Sequence, residues 1–188
     1  MNRNRLFALA LLTAGALPVQ EASAALTQWT AASGGNGHWY EVVLYDPSMQ
    51  TELLWANANT LANGGLRGHL ATVTSKGEDD FVRALVDAFL TNAGITLAER
   101  RMFWLGASQP ESAARSTTTT EPGDVAYGPA GGWEWVTGEP WVFTNWYTGG
   151  TTAQPANDLN WAHYLHYAGG AAPGTQATAW DDQVQSGQ

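Results

Sequence analysis

Residues 133–146 read WEWVTGEPWVFTNW, and the use made of these tryptophans decides the fold. Four indoles in fourteen residues either form a surface that grips a ligand or fill the inside of a small domain. On an extended strand Trp133 and Trp135 share one face and Glu134 takes the other, so the two rings are read as buried and the glutamate as exposed. Large aromatics supply most of the burial in a small domain, which extends the core reading to Trp104 and Trp146 and leaves Trp141 undecided. WEWV and WVFTNW are therefore expected strands, joined by the turn TGEP.

Working outward, HWYEVVLYD (38–46) alternates bulky and polar residues as a strand does. From Met49 to Ala62 the apolar residues Leu54, Trp55, Ala58, Leu61 and Ala62 recur at three- and four-residue steps, which predicts a helix stopped by Gly64 and Gly65. Ser75-x-x-Glu78 has the spacing of a reciprocal helix cap, and Phe81, Val82, Leu85, Val86 and Phe89 supply the buried stripe of a second helix to about Leu90. MFWLGAS (102–108) reads as a short buried strand, WAHYLHY (161–167) as another, and WDD (180–182) follows near the end. Between them lie the loop-forming segments 110–132, 148–160 and 168–179, rich in Gly, Thr, Pro and Asn. The order of elements predicts an α+β domain.

A chain of 188 residues with 44% hydrophobic residues is about one domain. Residues 1–24 carry Arg3 and Arg5, an apolar run from Leu6 to Leu17 and then Ala22-Ser23-Ala24, the pattern of a cleavable secretory leader; they are set aside from the fold, and 25–188 is taken as a single domain. The run is too short for a permanent membrane span. The whole chain's charge of −9, less two positive charges and one negative, becomes −10 for residues 25–188. Nucleic acid and anionic lipid would both be repelled. With no cysteine there is neither disulfide nor thiol chemistry, and an exported domain must then hold its loops by packing, hydrogen bonds or a metal.

NGHWYEVV, GGLRGHLATVTS, FWLGAS, WEWVTGEP, FTNW and the late WDD stand in the order seen in C-type lectin-like domains, and the chain most resembles their cysteine-free bacterial versions over residues 36–182. Trp104, Leu105, Gly106 and Ala107 resemble the family's Trp-Ile-Gly-Leu signature. The resemblance implies a double-loop fold with two helices, small antiparallel sheets and a long irregular loop, secreted and used for binding. It also implies a final strand pairing with the first, for which the residues after Asp182 give no match; the expectation is a truncated C-terminus or an open edge on HWYEVV.

Many members of that family bind sugars through Ca²⁺. Glu139-Pro140 lies upstream of the long loop and does not match the family's calcium motif by position. Gln154-Pro155-Ala156 does, with alanine where the family has an oxygen donor, and a further family glutamate is replaced by Trp161 or Ala162. The resemblance thus implies a Ca²⁺ ligand set of Gln154, Asn157, Asp158, Asp181 and Asp182, with the sugar touching Asn157, Asp181 and the ring of Trp161. The opposing reading is a loop whose Asn and Asp residues form Asx-turns. Carbohydrate is the expected ligand; the alternatives are a calcium-independent module binding a cell-surface protein and, last, a glycoside hydrolase using Glu134 and Asp182. No nucleophile–base spacing is recognisable, so no catalytic residue is assigned. His163 and His166, three apart on a strand, face opposite ways and are not a metal pair.

Overall fold

The computed structural model describes residues 5–11, 25–45, 62–63, 66–93, 103–109, 131–148, 155, 163–167 and 179–184. Its centre is β6 (Phe103–Gln109), the FWLGAS stretch, which is antiparallel to β7 (Glu134–Trp135) on residues 107–108 and to β8 (His163–Tyr167) along most of its length. All of Phe103 to Ala107 is buried. Gly106 is required there: its N–H donates to the Ala71 carbonyl at 2.7 Å, its own carbonyl accepts from Val136 N–H at 2.7 Å, and a Cβ would meet the Leu70 carbonyl oxygen at 2.5 Å. The pairing between β6 and β8 shifts register between Trp104 and Ser108, across this crowded glycine.

The sheet continues from β8 to β9 (Trp180–Val184), with His166 opposite Asp181 and Leu165 opposite Asp182. On the other side of β6 the order is β1 (Arg5–Leu11), β3 (Trp39–Tyr45) and β2 (Thr27–Gln28). β4 (Ala62–Asn63) and β5 (Leu66–Leu70) form a small antiparallel hairpin, and β5 also lies parallel to β1. Seven residues set aside as leader thus stand inside the sheet, parallel to β3 from Arg5↔Trp39 to Leu11↔Tyr45. A continuous apolar run suits a strand enclosed by neighbours on both sides as well as it suits a leader. The expected open edge on HWYEVV is therefore filled, and β9 pairs with β8 instead of β3.

The two-helix expectation is corrected. Among the described residues there is one α-helix, α1 (Lys76–Asn92), with a single 3₁₀ turn at Ala31–Ser33, and strands that are mostly antiparallel. The helix expected from Met49 lies outside the described residues except for its last position, and Ala62 is a strand residue paired with Arg67. A Gly-Gly pair between short runs joins hairpin strands as readily as it stops a helix, and here it lies between two antiparallel strands. WVFTNW also forms no strand of its own; only Trp146 makes an isolated parallel bridge, to Trp180.

The tryptophans of the decisive stretch are core. Trp133 and Trp135 are 1% and 3% exposed, while Glu134 points to solvent. Trp141, half-buried, lies across both: its ring centroid is 5.9 Å from Trp133 at 20° between planes and 4.7 Å from Trp135. Trp146 adds a fourth ring 5.1 Å from Trp133, and Trp180 of β9 meets Trp135 edge-on at 5.8 Å.

Two buried carboxylates in the first turn of α1 tie this core together. The Ser75 hydroxyl caps the helix by accepting from the Glu78 N–H at 3.2 Å, but the Glu78 side chain does not complete the reciprocal box. It accepts from the Thr74 N–H and hydroxyl, from the Tyr40 hydroxyl at 2.6 Å and from Asn36 Nδ2 at 3.0 Å. Asp79 turns to the other half of the molecule, accepting from the Tyr167 hydroxyl at 2.8 Å, Trp180 Nε1 at 3.1 Å and Asn145 Nδ2 at 2.9 Å. The helix N-terminus also favours negative charge at these positions. Burial nonetheless pushes the Asp79 carboxyl above its ordinary range, against the lowering effect of its Tyr167 and Trp180 donors.

Candidate functional site

Of the residues assigned to calcium and sugar, Gln154, Asn157, Asp158 and Trp161 lie outside the described residues. Asp181 and Asp182 are described, half-buried and consecutive on β9. Neighbours on a strand ordinarily diverge, but the Asp181 side chain curls along the backbone and its Oδ1 accepts from the Asp182 N–H at 2.9 Å. Burial raises the Asp181 carboxyl above the usual carboxylate value and the Asp182 charge adds to this, while His166 and the Asp182 N–H oppose it. His166, across the strand pair, is 4% exposed. Its Nδ1 lies 2.9 Å from the Tyr167 carbonyl, and burial biases it to the neutral form despite the two aspartates. Among the described residues no three His, Asp or Glu side chains stand together as a metal cluster.

A second location was not assigned from the sequence. Around the TGEP turn, Trp133, Glu134, Trp135, Gly138, Glu139 and Trp141 line a recess of about 390 Å³, within the range of ~300–1,000 Å³ typical of small-ligand pockets. Gly138, at φ 71°, makes the turn, and its N–H returns to the Trp135 carbonyl at 2.9 Å. Glu139, dismissed as a calcium ligand by position, is pinned: its Oε2 accepts from the Thr72 hydroxyl at 2.6 Å and the Thr137 hydroxyl at 2.7 Å. Next to it, His69 is biased to the neutral form by burial, with the Glu139 charge opposing.

The polar inventory of this region is incomplete in a specific way. The indole N–H groups of Trp133, Trp135, Trp141 and Trp146 are buried without an acceptor, as is that of Trp104. A buried unpaired donor costs about 1–3 kcal/mol, so four in one aromatic cluster is a departure from ordinary interiors. The only sequence signal for this site was an acidic, glycine-containing turn between tryptophans, which equally describes any tight surface turn.

In comparisons with family models, curated proteins and solved structures, nothing matches this chain. Among the described residues no helix is long and apolar enough to cross a membrane.

Proposed function

We propose that the protein is a carbohydrate-binding module, in which Asp181 and Asp182 hold one Ca²⁺ together with Gln154, Asn157 and Asp158 of the preceding loop, beside a sugar stacked on Trp161. The observation that carries this reading is the adjacent, half-buried carboxylate pair on β9. Burial and mutual repulsion disfavour charge on Asp181, and the basic group acting on it, His166, is itself driven towards neutrality. A divalent cation would reverse that balance. All five side chains offer hard oxygen donors, the chemistry Ca²⁺ selects, with waters and two vicinal sugar hydroxyls completing a shell of roughly six to eight oxygens.

The test is thermal melting with and without millimolar calcium, followed by a glycan array under both conditions. Calcium at a hundred times its dissociation constant would stabilise the fold by about 2.7 kcal/mol, and the shift is expected to vanish in Asp181→Ala together with glycan capture. No shift and no glycan signal would move the reading to a calcium-independent protein-binding module. Release of reducing sugar would move it to a hydrolase.

A further inference from the structure

We propose that Asn36-Gly37 is a modification site at which the fold holds back deamidation, and that conversion of Asn36 to aspartate or isoaspartate weakens the joint between residues 29–38 and the start of α1. The inference concerns the chemistry of the chain itself and is independent of the calcium and sugar reading.

Asparagine is a thermolabile residue, and a following glycine, without a Cβ, leaves the approach to its side chain open. In the reaction the Gly37 nitrogen, having lost its proton, bonds to Asn36 Cγ, the side-chain nitrogen leaves as ammonia, and a cyclic imide remains. Water then opens the ring at one of its two carbonyls and leaves a carboxylate. The atoms that must move are all engaged in the structure. The Gly37 N–H donates to the Trp29 carbonyl at 2.8 Å, and the Gly37 carbonyl accepts from Gln28 Nε2 at 2.9 Å. Asn36 Oδ1 accepts from the His38 N–H at 2.9 Å, while Nδ2 donates to Glu78 Oε1 at 3.0 Å and to the Tyr40 hydroxyl at 3.3 Å. Asn36 is exposed, so water for the second step is at hand and hydrogen bonding alone restrains the first. Ring closure must wait until Gly37 releases Trp29 and the side chain turns away from Glu78.

The same bonds make the product unfavourable. Glu78 is 2% exposed, and its remaining donors, the Tyr40 hydroxyl and the Thr74 N–H and hydroxyl, are neutral. A carboxylate at position 36 replaces a donor to that buried charge by a second negative charge, and the two repel. The apolar half of the joint, Trp29 stacked on Phe81 at 5.7 Å and 22° between planes, is untouched by the reaction. Reclosing does not restore the amide, so each opening that reacts is recorded in the chain.

The experiment incubates the full chain at neutral pH, folded and in guanidinium, and follows by peptide mapping and mass spectrometry the exchange of amide for carboxyl at Asn36, read apart from the second Asn-Gly pair at Asn63-Gly64. A reaction confined to a locally open state is expected to run about tenfold slower or more in the folded chain. Equal rates in the two states would overturn the protection. The joint is tested by melting: Asn36→Asp is expected to lower the melting temperature more than Asn36→Ser, and the excess to disappear in the Glu78→Gln background. A second reading of the same charge is salt, which should shrink the excess by screening the exposed carboxylate at position 36. An Asn36→Asp variant no less stable than Asn36→Ser, or an excess indifferent to both Glu78→Gln and salt, would overturn the role given to Glu78.

Discussion

Two polar regions touch the same aromatic core and are built in opposite ways. At the start of α1, Glu78 and Asp79 are buried charges whose oxygens gather hydroxyl, amide and indole donors from both halves of the chain. Around the TGEP turn, indole donors are buried with nothing to receive them and carboxylates stand at the rim. A saturated polar network specifies a fold; an unsaturated one leaves bonding capacity for something else. The difference separates a polar network closed within the chain from one that is left open.

The largest test of the comparison is Asp79→Ala. It takes this acceptor away from the Tyr167 hydroxyl, the Trp180 N–H and the Asn145 amide and removes one of the two aspartates paired with Arg83, whose Nε lies 3.4 Å away. Removing one member of such a buried charged network costs about 3–5 kcal/mol, read as a fall in denaturant midpoint at unchanged slope. A loss below about 1 kcal/mol would mean that the network is replaceable by water and that the two regions do not differ in kind. Trp180→Phe is the next in size. It keeps an aromatic ring in the core but loses the one N–H bond to Asp79, with an expected loss of about 1.5–3 kcal/mol for a bond to a charged group.

A smaller effect is expected from pH, and it sharpens the comparison because it comes from the other end of the core. His166 and His69 are pushed below the ordinary value of 6.5, chiefly by burial. The unfolded chain therefore takes up protons that the folded chain refuses. Their stability contribution is complete above 6.5 and is lost as pH falls through the folded values. Asp79 and Asp181 run the other way: raised from 3.8, chiefly by burial, they contribute fully below that value and the contribution is lost as pH rises through their folded values. On acidification from about pH 7 to pH 5 the histidines therefore pull the melting temperature down while the carboxylates pull it up, and His166→Gln should remove part of the downward pull. A slope unchanged in that variant would remove His166 as its source.

What the sequence revealed follows range. The Ser75 cap, the burial of Trp133 and Trp135 around an exposed Glu134, and β6 are set by residues within a turn or a strand of one another, and all are found. The roles of Glu78 and Asp79 were hidden because their donors lie 38 residues away at Tyr40, 88 at Tyr167 and 101 at Trp180. An acidic pair in the first turn of a helix is ordinarily a solvated, dipole-favoured feature, and only tertiary contact distinguishes a buried one. The same applies to β1 and to the β4–β5 hairpin, whose apolar run and glycine pair carry two structural meanings each. Asp181 and Asp182 were singled out only through a family motif, whereas the recess needed Glu139 to be brought to Thr72, 67 residues back in the chain.

The smallest expected effect is the most discriminating. Trp141→Phe is the same chemical change as Trp180→Phe, made in the unsaturated region. The indole of Trp141 makes no hydrogen bond within the protein, so the substitution breaks none. What it loses is part of a half-buried ring against Trp133 and Trp135, and it also removes a donor whose burial without a partner is unfavourable. These opposing changes should leave stability within about 1 kcal/mol of the parent, against the larger loss at Trp180, when both variants are melted in the same denaturant series without added sugar. Equal losses at the two positions would show that the Trp141 N–H is as firmly satisfied in solution as that of Trp180, and the contrast between a closed network and an open one would fall.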